Sequence, residues 1–113
     1  MTGPSVLLLL PTVAMLVLHA VEWLAVRRGR MTARGLSAAL AFESAYYSLL
    51  VAFPSGLNQW LVGSLAAAHW IALGQTSHGL PGRRVLLGVA VFDAAESVVL
   101  LYILWRLAAV SFW

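Results

Sequence analysis

The sequence predicts an all-α integral membrane protein, a four-helix bundle made of two tandem helical hairpins. Three observations carry that prediction. The chain is 113 residues long, 62% hydrophobic and 10% charged, with a mean hydropathy of +0.91; a soluble domain carries roughly a quarter charged residues. Four windows supply the ~20 apolar residues that a spanning helix needs. Finally, the chain echoes itself at an offset of fifty residues without a gap: His19 falls on His69, Glu43 on Asp93, Phe42 on Phe92, Leu36 on Leu86 and Leu50 on Leu100. A fixed period of this length marks an internal repeat.

The windows are about Ser5–Val26, Thr32–Phe53, Ser55–Thr76 and Arg84–Arg106. Pro11 sits early in the first and is expected to bend it, which membrane helices tolerate. Arg27–Met31 separates the first two windows, and a tight turn at Pro54–Ser55 separates the second from the third. Between the third and fourth, Gly79, Pro81 and Gly82 interrupt helix within Ser77–Arg83. The whole chain reads as one transmembrane domain, with repeats 4–53 and 54–103. The first span does not read as a cleaved signal: Met1–Val6 lacks a positive segment, and the apolar stretch is too long.

Arginine placement gives the expected topology. Arg27, Arg28, Arg30 and Arg34 cluster at the first loop, Arg83 and Arg84 at the third, and the second loop has none. The positive-inside rule then places loops one and three in the cytoplasm and both termini outside. The expected location is the cytoplasmic membrane of a bacterium or archaeon. Trp60, Trp105 and Trp113 fall toward the outer interface, and Arg106 can snorkel outward. Two spans per repeat make the repeat parallel, with a pseudo-twofold axis along the membrane normal. The basic residues therefore serve topology and the lipid surface, and nucleic acid is excluded as a partner. There is no cysteine, which excludes disulfides and thiolate metal sites.

Ionisable residues inside apolar runs carry the functional signal. Counted from the cytoplasmic ends at ~1.5 Å per residue, Glu22 lies ~8 Å deep, His19, Glu43, His69 and Asp93 ~12–14 Å, and Glu96 ~18 Å. Six groups thus share one slab. His19 and Glu22 are three residues apart, as are Asp93 and Glu96, so each pair shares a helix face. Glu43, Tyr46 and Tyr47 share another. Four intramembrane carboxylates cost on the order of 10 kcal/mol before compensation. With no lysine and every arginine at a membrane edge, the counter-charge must come from protons, histidinium or a bound cation.

Two chemistries follow. Displaced carboxylates and histidines act as general acid and base, which assigns Glu22, Glu43, Asp93, Glu96 and Tyr46 to catalysis on a lipophilic small molecule entering from the bilayer. Alternatively, His19, Glu43, His69 and Asp93 form the symmetric ligand set for a divalent metal such as Fe, Mn or Zn. Two histidines and four carboxylates match the inventory of di-iron and di-manganese bundles. The order His19-x-x-Glu22 is the reverse of their Glu-x-x-His, however, so the chain is not placed in that class. The runner-up function is a small proton- or metal-coupled transporter. A haem held by His19 and His69 and a purely structural polar layer complete the alternatives, and the sequence is compatible with an oligomer. The echo fails at Glu22 against Ala72 and at Tyr46 against Glu96, where chemistry that needs distinct halves is expected.

Overall fold

Among the described residues the chain forms four α-helices. The structure is a computed structural model that describes residues 3–52 and 57–112, with side chains for 6–52 and 57–109. The expected turn at Pro54–Ser55, and Trp113, lie outside the described residues. The helices are α1 (Gly3–Arg27), α2 (Ala33–Ala52), α3 (Gln59–Thr76) and α4 (Arg83–Phe112). Pro11 is accommodated inside α1, which runs through it.

Local chemistry sets the ends. Gly29 closes α1 in the left-handed region (φ +65°). The Arg30 N–H donates to the Ala25 carbonyl at 2.8 Å and the Gly29 N–H to the Val26 carbonyl at 3.1 Å. These are the paired bonds of a Schellman cap. After α3, Gly79 takes φ +122° and its N–H donates to the Thr76 carbonyl at 3.1 Å. The start of α3 lies four residues beyond the expected window because Asn58 caps it. The Asn58 side chain accepts the N–H groups of Trp60 at 2.9 Å and Leu61 at 3.2 Å, satisfying two of the donors that a helix start leaves free.

Helices α1, α2 and α4 are long and apolar enough to cross a membrane. The sequence predicts four such spans, but α3 is not among them. It is 18 residues long and carries Gln59, His69 and Gln75, which lower its mean hydropathy. Large apolar side chains face outward: Leu7, Leu10, Val17, Val91, Val98 and Leu101 are all exposed. A water-soluble monomer rarely exposes such a contiguous apolar surface, and the outward faces suit a bilayer.

The inward faces form narrow seams. On α1, Leu8, Thr12, Met15, His19, Glu22 and Val26 are buried, stepping alternately by four and three residues. On α4 the buried series is Leu86, Ala90, Asp93, Glu96, Leu100, Ile103 and Leu107. Such spacing packs one stripe of a helix against neighbours and leaves the rest free. Positions fifty apart share this burial: Thr12 with Val62, His19 with His69, Leu40 with Ala90, and Tyr46 with Glu96.

The tightest packing is not within the two expected hairpins, α1 with α2 and α3 with α4. Helix α1 lies along α4 and α2 along α3, while α1 touches α2 more lightly. Among the described residues, the α3 and α4 backbones do not approach closely. The two helices joined by the 77–82 connection are therefore splayed, whereas α1 and α2 touch.

The Gly29 cap predicts a measurable cost. Gly29→Ala forces a Cβ into the left-handed region and should lower stability by about 1–2 kcal/mol, read from unfolding in mixed micelles. An unchanged midpoint would show that the cap contributes nothing.

Candidate functional site: a buried histidine–carboxylate centre

Two apolar clusters divide the core. Leu36, Leu40, Leu86, Ala90 and Val26 pack at the arginine-rich end. Met15, Tyr46, Tyr47, Leu50, Val62 and Leu100 belong to the larger cluster beyond. Between them lie the six ionisable residues expected from the sequence. His19, Glu22, Glu43, His69, Asp93 and Glu96 are each between 1% and 4% exposed. All four helices contribute, because the 3–4 periodicity of each seam carries one or two of these positions to the inside.

The distances describe a ring. His19 Nε2 lies 2.9 Å from Glu43 Oε1 and 3.5 Å from Glu96 Oε2. His69 Nε2 lies 3.2 Å from Glu96 Oε1 and 3.8 Å from Glu43 Oε2. Each carboxylate therefore spans both imidazoles with its two oxygens. His19 also lies 3.9 Å from Asp93 Oδ1. The Glu22 carboxyl is buried in the same layer.

The short approaches are not ordinary hydrogen bonds. His19 Nε2 and Glu43 Oε1 are 2.9 Å apart, yet neither has a hydrogen-bonded partner among the described residues. The approach is off the line on which a ring N–H donates. Both Glu22 oxygens, Asp93 Oδ2 and Glu96 Oε2 are likewise without one. Unmet buried polar atoms are costly, and here they converge on one place.

Other groups orient the ring. His69 Nδ1 sits 2.6 Å from the Leu65 carbonyl; an N–H there leaves Nε2 free to face the carboxylates. The Tyr47 hydroxyl donates to Glu96 Oε1, and the Tyr47 ring packs on His69 with centroids 4.9 Å apart. The Arg27 guanidinium lies over the Trp23 ring, 4.8 Å from its centroid. No arginine reaches the centre among the described residues.

The sequence-derived residues distribute unevenly. His19, Glu43 and Asp93 gather as one group whose donor atoms lie within 4.8 Å of one another, and His19, His69 and Glu96 as a second. The symmetric quartet is therefore not closed by Asp93 on the His69 side; Glu96 holds that place. Tyr46 is buried but turned away, its hydroxyl 2.7 Å from Thr12 Oγ1. Tyr47, which the sequence analysis left outside the site, is the tyrosine that touches it. Adjacent residues on α2 present different faces, and only the helix rotation decides between them. His78 is exposed beside its loop, away from the centre.

A cleft of about 410 Å³ opens between α3 and α4 and reaches the centre. Ala68, Ala72, Gly88 and Phe92 form part of its walls, while Glu22, Glu43, His69 and Asp93 line its buried end. The corresponding groove between α1 and α2 has Leu18 where the cleft has Ala68, and Ala38 where it has Gly88. None of the six ionisable residues lines that groove. Smaller side chains on α3 and α4 thus coincide with this opening; a further cleft, between α1 and α4, reaches His19 beside Ala94 and Ser97.

Removing each tyrosine hydroxyl should separate their roles. Tyr47→Phe strips a donor from a buried carboxylate and should cost about 1–3 kcal/mol of unfolding free energy. Tyr46→Phe should cost less, about 0.5–1.5 kcal/mol, because Thr12 still donates to the Leu8 carbonyl at 2.7 Å. The reverse order in mixed-micelle unfolding would contradict the geometry. Comparison with family models, curated proteins and solved structures returned no match to this chain.

Proposed function

We propose that the chain is a membrane-embedded enzyme that acts on a lipophilic small molecule at its buried histidine–carboxylate centre. The scaffold is an integral membrane four-helix bundle built by duplication of a helical hairpin, with both termini outside. Its α3, at 18 residues, is ~27 Å long and close to the ~30 Å hydrocarbon thickness. The polar residues that lower its hydropathy include His69, which faces the core.

One observation carries the reading. The centre is buried from water but open to the flank of the bundle through the α3/α4 cleft. A purely structural layer needs no such opening. Apolar walls around a carboxylate-lined end suit a substrate with an apolar body and a reacting polar or unsaturated end.

Within the centre, Glu22 and Asp93 are the proton pair. Both line the buried end of the cleft. One carboxyl protonates the substrate while the other carboxylate removes a proton elsewhere on it, so the total is unchanged. Proton transfer between them then resets the site. Isomerisation, cyclisation and epoxide opening all have this balance. Glu22 faces Ala72 in the fifty-residue register, so the two halves differ where acid and base must differ.

The test is a conversion assay. Reconstituted protein incubated with a membrane lipid extract should consume one lipophilic component and yield an isomer of it, detected by chromatography with mass spectrometry. Glu22→Gln should reduce the rate by about 10²–10⁴-fold. Gly88→Leu should also abolish conversion while leaving the fold intact. A Cβ at Gly88 meets no atom within 4 Å, and replacing a helical glycine gains ~1 kcal/mol of propensity, so the added side chain fills the cleft without strain. Cation-driven flux across sealed liposomes that disappears in Glu43→Gln, with no conversion, would instead establish the transport reading.

A further inference from the structure

We infer that His19, Glu43, His69 and Glu96, one residue from each helix, bind a divalent transition-metal ion. This deepens the reading of the centre as a functional site but does not depend on turnover.

The four edges of the ring are the first argument. They measure 2.9 Å (His19–Glu43), 3.8 Å (Glu43–His69), 3.2 Å (His69–Glu96) and 3.5 Å (Glu96–His19). Ligands bonded to one ion at ~2.1 Å stand about 3.0 Å apart at octahedral edges and about 3.4 Å apart at tetrahedral ones. The observed edges bracket both values. Hydrogen-bonded pairs would instead align a proton with an acceptor lone pair, and His19 Nε2 and Glu43 Oε1 do not. Donor atoms that crowd together without pointing at each other are arranged around a third body.

Charge is the second argument. Four carboxylates gather in an apolar slab with two imidazoles and no arginine or lysine at hand. A divalent ion offsets two of those charges, and neutral imidazoles complete the set. The remaining pair, Glu22 and Asp93, can hold a proton between them.

The surroundings are the third. Histidines that bind metal through one ring nitrogen commonly hold the other on a carbonyl, and ligating carboxylates accept an outer hydrogen bond. His69 Nδ1 rests against the Leu65 carbonyl at 2.6 Å, and Glu96 accepts the Tyr47 hydroxyl. Two nitrogens and two or more oxygens, with no thiolate in the chain, suit Fe²⁺, Mn²⁺ or Zn²⁺.

The experiment is elemental analysis of detergent-purified protein carrying no polyhistidine tag, from cells grown with added Fe, Mn and Zn. We expect about one ion per chain, falling below about a tenth in His69→Gln and Glu96→Gln. A second measurement guards against variants that fail to fold. Chelator-treated wild type should melt at a lower temperature and recover when one of the three ions is returned. Metal-free wild type with no thermal response to any of them would overturn the inference. If that metal-free protein still converted substrate, the metal inference would fail and the enzyme reading would stand. Stoichiometric metal without conversion would do the opposite.

Discussion

Everything distinctive about this chain depends on one constraint: four carboxylates are buried with two imidazoles and with no arginine or lysine to meet them among the described residues. Each costs at least ~2.5–3.5 kcal/mol in a hydrocarbon slab, and the chain carries four. Such a cost is sustained only if the groups meet each other and a shared counter-charge. The helices achieve this by turning every buried ionisable residue to the same layer. The seam residues on either side, Leu36 and Leu86 below and Leu50 and Leu100 above, close that layer off.

The same constraint explains the uneven packing. A close α1/α4 pair and a close α2/α3 pair bring His19 toward Glu96 and Glu43 toward His69. The looser pairs, α1 with α2 and α3 with α4, do not close around the centre equally. Glu43 stands 2.9 Å from His19 within the first half, whereas on the second half His69 turns to Glu96 at 3.2 Å. The substitution of Glu96 for Tyr46 in the repeat register supplies that second acid. Ala68 and Gly88, in place of Leu18 and Ala38, keep the α3/α4 side open. Small side chains on α3 and α4 thus coincide with an opening toward the centre.

Much of this was legible in the sequence, because depth in a membrane helix is arithmetic. Counting from the arginine clusters puts His19, Glu43, His69 and Asp93 at one level, and three-residue spacing adds Glu22 and Glu96 to the same faces. All six are buried together. Helix rotation and helix pairing were not legible. Tyr46 and Tyr47 are equivalent by spacing to Glu43, yet one bonds Thr12 and the other Glu96. The fifty-residue echo suggested two hairpins, α1 packed on α2 and α3 on α4, but packing follows the side chains at the seam, and α1 lies against α4 and α2 against α3. The late start of α3 rests on a single asparagine cap, a local bond that hydropathy does not register.

The central claim is that α3 and α4, whose backbones stay apart, meet through their side chains at the centre. A double-mutant cycle between His69 and Glu96 tests it most directly, using His69→Gln, Glu96→Gln and the double variant in mixed-micelle unfolding. Groups in one buried network should show a coupling energy of about 0.5–3 kcal/mol. Strict additivity of the two substitutions would mean that the residues do not share a site, and the account of the centre would fail.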